Sequence, residues 1–535
     1  MDKEMVVDYL IIGAGPAGLQ MGYFLSKAGR NYLILEGGQN PGTYFERFPR
    51  HDMLLTVNKI YTGYEDPERR LRYDWNSLLS NSEKMLFRHY NKAFLPDRAD
   101  FVRYLADFAN YFDLNIKYET KVRRVSKPNH FVVWDEAGNI YKSPRLIMAT
   151  GVSKPYIPNI EGIELTENYV DCSVDPLDYI NQRILILGKG NSAFETANHL
   201  LSTARMIHIC GPKCVKMAWS SHYKGDLRAV NSAFIDTYHL KNQNNILNAN
   251  LTKIERRNGE LIAHIAYTQA KGQTMQLAYD RILVCTGFRM DTSIFDKTCL
   301  PEMDPELKYK YPLMTSEWES VNVEDMYFIG VLMGAKDERK YFSSFISGYR
   351  YNIRVLHKLL EQKYQAIELP YELVESNPKQ LADLILERVS RASALLLQPG
   401  FICDLLIIPQ TEGQAQYYQE INVEYVHESS LSQNSQYYTI TLEYGEFPKD
   451  ASLCLERDPD PDEAHQDVYV HPIIRYYSGG ELLREHHIPE VLENDWTVFQ
   501  FMRRVDQQDE NELRRMYKER VTQFFQENLE ADTVE

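Results

Sequence analysis

Val6-Val7-Asp8-Tyr9-Leu10-Ile11-Ile12-Gly13-Ala14-Gly15-Pro16-Ala17-Gly18 is a mostly apolar, β-rich run that ends abruptly in a glycine turn. Such a run suits a strand buried in a parallel sheet. Apolar residues then recur at helical spacing through Ala28, so the context is strand, turn, helix. Gly13 suits the tight turn, Gly15 lets the backbone approach a pyrophosphate, and Gly18 lets the helix pack on the strand. Pro16 and Ala17 lie at the helix start, where free N–H groups can donate to phosphate. A second strand, Asn31 to Leu35, ends in Glu36, whose carboxylate can accept two bonds from an adenosine ribose. The strand, the turn and the acid together form a dinucleotide-binding fingerprint.

The pattern occurs twice. Arg183 to Leu187 repeats the buried strand and Gly188-Lys189-Gly190-Asn191-Ser192-Ala193 repeats the turn, with Ala193 as the small residue at the helix–strand contact. The next strand, Met206 to Cys210, leads into Gly211-Pro212-Lys213 without an acid at the ribose-reading position. Repulsion of a 2′-phosphate is absent there, and Lys213 and Lys216 lie where they could pair with one, which favours NADPH over NADH. A solvated loop is the alternative reading for both lysines.

Between and after these units, Arg145 to Gly151 and Arg281 to Gly287 are strands closing in Ala-Thr-Gly and Cys-Thr-Gly turns. Thr150, Gly151 and Gly287 bring the chain back toward the cofactors. Met326 to Gly330 reads as a further strand, followed by a turn at Gly334 and a helix from Phe342 to Gln362. The expected fold class is α/β: an FAD-binding Rossmann-like domain (1–155 and 288–365) with an inserted NADPH-binding Rossmann-like domain (156–287). A mixed α+β C-terminal region, 370–535, follows as an accessory or interaction region. In it, Leu405–Ile408, Tyr417–Val426 and Tyr437–Leu442 read as strands, and a charged helix is expected from Val498 to Glu530, suited to a homo-oligomer or protein-partner contact. The acidic run Asp458 to Glu463 reads as a solvated turn.

Composition narrows the partners. With 59 Lys plus Arg against 75 Asp plus Glu, the formal charge of −16 opposes a nucleic-acid or anionic-membrane surface. Seven scattered cysteines without a Cys-x-x-Cys suggest a reducing compartment. No long uncharged apolar stretch suggests a membrane span, and neither a secretory leader nor a retention-like tail is recognised, so a cytoplasmic location is expected. His465, His471, His486 and His487 lack compact metal-ligand spacing.

The two glycine turns, Ala149-Thr150-Gly151 and Cys285-Thr286-Gly287 resemble those of two-dinucleotide-domain flavoproteins, a class that includes flavin-containing and N-hydroxylating monooxygenases. Phe48-Pro49-Arg50-His51, Thr56-Val57-Asn58-Lys59 and Gly188 to Thr196 resemble, more narrowly, the family of FAD-dependent oxidoreductase domain-containing protein 2. The resemblance implies that Gly13, Gly15, Gly18 and Glu36 bind FAD and that Gly188, Gly190, Asn191 and Ser192 flank NADPH phosphates. It also implies that Asn58 lies near the flavin ring, as the candidate catalytic residue, with a structural loop cap as the alternative. Leu165 to Asp171 stands where the monooxygenase fingerprint has Phe-x-Gly-x-x-x-His and lacks its glycine and histidine, and Gly330 is followed by Val331 rather than the usual Asp. The expected function is NADPH-dependent FAD oxidoreduction of monooxygenase type on a small-molecule substrate with oxygen. A reductase without oxygen insertion and an FAD-stabilised partner-binding protein are the alternatives.

Overall fold

The computed structural model describes residues 4–221, 225–336, 342–408, 414–433, 436–446, 460–491, 494–497 and 510–531. Cys454, Asp458 and Pro459 lie outside them, while the rest of the acidic run opens the short 3-10 helix Pro461–Gln466 with Asp460 as its cap. The first unit is a five-stranded parallel sheet in the order Met326–Phe328, Arg145–Met148, Tyr9–Ile12, Tyr32–Leu35 and Ile116–Lys117. Its strands are buried on both faces, which explains their unbroken apolar runs. The expected strand Val6–Ile12 is split. Glu4–Val6 pairs instead with Ile140–Ser143 at the edge of a second, four-stranded sheet, because Val7 N donates to Lys142 O while Asp8 N and Tyr9 N turn to Asn31 O.

The inserted unit carries a seven-stranded sheet in the order Glu167–Asn168, Arg281–Val284, Arg183–Leu187, Met206–Gly211, Asn245–Arg257, Glu260–Tyr267, Thr274–Tyr279. Its first five strands are parallel and its last two run antiparallel as a meander. The chain enters and leaves through Lys154–Pro155 and Phe288–Arg289, which pair antiparallel. The inserted unit has its own apolar cores, one around Phe194 and one around Leu185.

The C-terminal region is built differently from either nucleotide unit. Its six-stranded antiparallel sheet runs Glu372–Glu375, Gln414–Asn422, Ile402–Ile408, Gln436–Glu443, His471–Ser478, Glu481–His487. Asn422 accepts from Glu424 N and starts a short helix at Val423, so the strand expected to reach Val426 stops four residues early. The helix Glu510–Ala531 packs against Pro378–Arg391. One continuous apolar cluster runs from Tyr9 and Leu10 to Trp496 and Phe525, so this region and the first unit share a core.

Helix Ile346–Gln365 joins them. It begins four residues later than its sequence pattern suggests, because Phe342 O accepts Phe345 N in a turn lying against the bare Cα of Gly348. Its fully buried Arg350 donates to Ser77 O at 2.6 Å and Leu71 O at 2.9 Å. Arg72 reaches back to Val389 O, Ala392 O and Asn494 O.

Burial holds three histidines neutral: His208 beside Tyr279, His357 beside Phe24 and His486 on Phe524 are each lowered to about 4. The unfolded chain takes up these protons near pH 6.5 while the folded chain resists them. Stability is therefore full above about pH 6.5 and falls as the pH drops toward 4, each histidine contributing on the order of 1–3 kcal/mol. Thermal melting across this range should show the loss, and His486→Gln should make it shallower; an equal slope in that variant would refute the assignment.

Candidate nucleotide and flavin site

In the first turn, Gly13 adopts φ +104°, and a Cβ there would sit 2.8 Å from Ala149 O. A Cβ at Gly18 would lie 2.0 Å from Gly13 O, so only glycine lets the helix approach the turn this closely. Nothing lies within 4 Å of a Cβ built on Gly15. Gly15 caps helix Pro16–Lys27, whose first N–H groups open into the same space. Gly330, at φ +76°, abuts Ala17: a Cβ would meet the Ala17 methyl at 2.7 Å.

Around this helix start is a cavity of about 270 Å³. Gly15, Pro16, Ala17, Thr150, Gly151 and Gly330 line it, so the turn, the Ala-Thr-Gly strand end and the return strand converge on one space. The sequence did not single out the rest of the wall: Tyr44 and Phe45, Thr56, and Ser344, Phe345 and Tyr349. Thr56 belongs to the motif quoted with Asn58, but an aromatic or hydroxyl wall carries no spacing signal of its own. Thr150 Oγ1 and Ser344 Oγ are buried and unpartnered. Buried hydroxyls are nearly always paired, so a polar ligand belongs here. The phosphate-facing helix start, the bare Cα of Gly15, these hydroxyls and the aromatic wall fit FAD.

Glu36 is almost fully buried at the end of its strand. Its carboxylate accepts Ala14 N at 2.7 Å, Gly38 N at 2.8 Å and Thr43 Oγ1 at 2.9 Å. A carboxylate offers about four acceptor sites, so a ribose diol here shares an oxygen or displaces one donor. Asn58 is not brought to this cavity. Its amide donates to Asn91 O at 2.9 Å and Ala93 O at 3.1 Å, and it borders a separate surface cleft with Lys59 and Arg70. Both donor hydrogens are thus committed to closing a loop, which is the structural alternative read from the sequence.

The second turn has the same construction. Gly188 adopts φ +127°, with a Cβ position 2.2 Å from Cys285 O, and Ala193 is fully buried. Gly190 caps helix Asn191–Leu200 with Gly225 O facing its Cα. The side chain of Asn191 is occupied: it donates to Asp226 O and accepts from Arg228 N, which leaves its backbone N–H for phosphate. Ser192 and Gly287 border a narrow crevice with Tyr169 and Phe288. Lys213 and Lys216 are exposed beyond strand Met206–Gly211, and the Lys213 carbonyl is held by Lys189 Nζ at 2.8 Å.

The two nucleotide units meet through Phe48-Pro49-Arg50-His51. Phe48 enters the apolar core of the inserted unit, stacking on Tyr169 at 6.0 Å. Arg50 caps Val170 O and Cys172 O. His51 Nε2 lies 3.2 Å from Thr196 Oγ1. Burial lowers His51 to about 4 and raises Glu195 to about 7, the latter helped by the Asp52 charge. Among the described residues no group of His, Cys, Asp and Glu could hold a metal, and no helix is long and apolar enough to cross a membrane.

A family model described as pyridine nucleotide-disulphide oxidoreductase matches residues 10–330. The chain is 32% identical over 543 residues to FAD-dependent oxidoreductase domain-containing protein 2 of Mus musculus, covering 92% of this chain and 81% of that protein. With the Danio rerio protein of that name it is 33% identical, covering 89% and 76%. Among solved structures it is similar to the bacillithiol disulfide reductase of Staphylococcus aureus, with a TM-score of 0.51 at 18% identity, over 68% of this chain and 100% of the other.

Gly15→Asp would place a carboxylate in the space left open before the helix start. FAD affinity should fall by about tenfold or more with the fold intact, since no neighbour lies within 4 Å of the added Cβ. Titration of apoprotein with FAD, beside a melting curve, checks this; normal FAD affinity would overturn the placement.

Proposed function

Because the chain belongs to the pyridine nucleotide-disulphide oxidoreductase family and is related to FAD-dependent oxidoreductase domain-containing protein 2, we propose that its flavin and NADPH chemistry takes a specific form. NADPH is held on the second turn, FAD in the cavity at the first, and the electrons leave directly to oxygen and a small molecule. The membership itself makes the chain a flavin- and NADPH-dependent oxidoreductase of the two-dinucleotide-binding superfamily. When bound, FAD accepts a hydride from the nicotinamide and passes the electron pair to an acceptor.

The observation that carries the direct outlet is the composition of the cavity wall. None of the described cysteines lines it, so the wall offers no pair of described thiols as an electron relay. The wall is instead mainly aromatic and aliphatic, with Tyr44, Phe45 and Phe345 beside the hydroxyl residues Thr56, Thr150 and Ser344. Two outcomes balance. NADPH, H⁺ and O₂ give NADP⁺ and H₂O₂; with a substrate that accepts one oxygen atom, they give NADP⁺, oxygenated product and water. We favour the second, oxygenase reading for the mainly apolar wall, while the absence of the glycine and histidine at 165–171 separates the chain from conventional heteroatom monooxygenases.

The chain's own groups act by placement. The N-termini of helices Pro16–Lys27 and Asn191–Leu200 bind the two pyrophosphates. Glu36 orients the adenosine ribose of FAD, and Lys213 and Lys216 pair with the 2′-phosphate of NADPH. Thr150 and Ser344 hold the flavin through their free hydroxyls.

Gly190→Asp tests the second site separately. It should leave FAD content unchanged while lowering the rate of flavin reduction at subsaturating NADPH by about tenfold or more, with dithionite still reducing the bound flavin. Unaltered NADPH dependence in the flavin-loaded variant would overturn the placement of NADPH. Peroxide yield per NADPH, with and without candidate substrates, separates the two electron outlets: stoichiometric peroxide under all conditions would refute oxygen insertion.

A further inference from the structure

The turn Phe342 to Phe345 forms one wall of the flavin cavity through Ser344 and Phe345, yet it is held from outside the nucleotide unit. Ser343 Oγ donates to Gln398 Oε1 at 3.1 Å, Gln398 Nε2 donates to Asn352 Oδ1 at 2.5 Å, and Asn352 Nδ2 donates to Ser343 Oγ at 3.3 Å. The three groups close a ring in which each donates once and accepts once. All three residues are fully buried and the ring contains no charge. A neutral closed ring in a low-dielectric interior is self-satisfied; removing one member leaves the other two with unpaired buried groups.

The members come from different places. Ser343 precedes Ser344 on the cavity wall, and Asn352 lies on helix Ile346–Gln365, one turn beyond the wall residue Tyr349. Gln398 belongs to the C-terminal region. Its N–H donates to Ala394 O at the end of helix Ser393–Leu397, and its carbonyl accepts Phe401 N and Ile402 N at the start of strand Ile402–Ile408. The backbone of Gln398 is therefore tied to the interior of the antiparallel sheet. Its amide also lies over the bare Cα of Gly348, where a Cβ would meet Gln398 Oε1 at 3.0 Å and Phe342 O at 2.1 Å. Trp75 closes the other side, with ring centroids 5.0 Å from Phe342 and 6.3 Å from Phe345.

We infer that Gln398 is a positioning residue for the flavin site: through its ring with Ser343 and Asn352, the C-terminal region fixes the wall that presents Ser344 and Phe345 to the flavin. The inference rests on the reading of this cavity as the FAD site. It gives the C-terminal region a role within the cofactor site itself. The amide acts through Ser343 and touches no reacting atom.

The test uses the full chain as apoprotein, titrated with FAD by fluorescence quenching, with the visible spectrum of the bound flavin and the apoprotein melting temperature recorded in parallel. Gln398→Leu keeps the volume and removes the amide; Ser343→Ala removes one hydroxyl from the opposite side of the ring and is the milder change should the first variant fail to fold. Each should raise the FAD Kd by about tenfold and shift the flavin absorption bands, because the wall around the ring moves. The double variant should be little worse than the worse single one, since both break one ring. A lower melting temperature with wild-type Kd and spectrum in the folded variants would make the ring purely structural and overturn the inference. Wild-type apoprotein that takes up no FAD would overturn the reading of the cavity and this inference with it, so the two failures are told apart by the wild-type titration.

Discussion

Arg350 and Arg72 are buried cations held chiefly by backbone carbonyls, with the Tyr351 hydroxyl as a further acceptor for Arg350. Arg350, on helix Ile346–Gln365, holds the carbonyls of Leu71 and Ser77; Arg72, one residue from the first of these, holds those of Val389, Ala392 and Asn494. Desolvation lowers Arg72 to about 10, still charged at neutral pH. A buried cation is tolerable only while its hydrogen-bond acceptors stay in place, and stripping them away exposes an uncompensated charge. The segment Leu71–Ser77, the helix bordering the flavin cavity and the C-terminal helices are thus fastened to one another by groups that cannot let go singly. Arg388, paired with Asp404 and Glu420 and reaching Glu68, extends the seam.

The join between the two nucleotide units is of another kind. Apart from Phe48, which the inserted unit takes into its own core, each unit keeps a separate apolar interior, and their covalent link is a two-strand pair only two residues long. His51 Nδ1, Arg50 Nε and Glu195 Oε1 are buried near this boundary without hydrogen-bond partners. The first unit and the C-terminal region share one continuous core, and the inserted unit is joined to the first by a narrow neck. The cavity at the first glycine turn is lined wholly by residues of the first unit.

The nucleotide fingerprints were legible because glycine at these positions answers to local sterics. The Cβ that Gly18 lacks would strike Gly13 within the strand–turn–helix itself, whereas the one Gly188 lacks would strike Cys285 at the end of the neighbouring parallel strand. Glu36 was legible as a residue but not in its bonding, since Ala14, Gly38 and Thr43 reach its carboxylate through the turn's three-dimensional path. Asn58 carried a motif and no geometry: only the fold reveals that Asn91 and Ala93 claim its amide. The cavity wall was illegible for the same reason. Tyr44, Thr56 and Ser344 come from segments some three hundred residues apart and meet only because the return strand pairs beside Arg145–Met148.

The stretch Leu165 to Asp171, which lacks the glycine and histidine of the monooxygenase pattern, has a physical occupation of its own. Glu167 and Asn168 form the edge strand of the second sheet, and Tyr169 turns its ring onto Phe48 while its hydroxyl accepts Arg50 N. Phe288, from the neck, packs edge-on against both rings. Tyr169 stands at an unrestricted position of that pattern; its glycine falls at Glu167, which pairs with Leu283 in the edge strand, and its histidine at Asp171. Phe48-Pro49-Arg50-His51 lies on the opposing side: Tyr169 receives the Phe48 ring, and Arg50 caps the carbonyls of Val170 and Cys172. Two stretches that stood apart in the sequence, Phe48 to His51 and Tyr169 to Cys172, are the two halves of one contact.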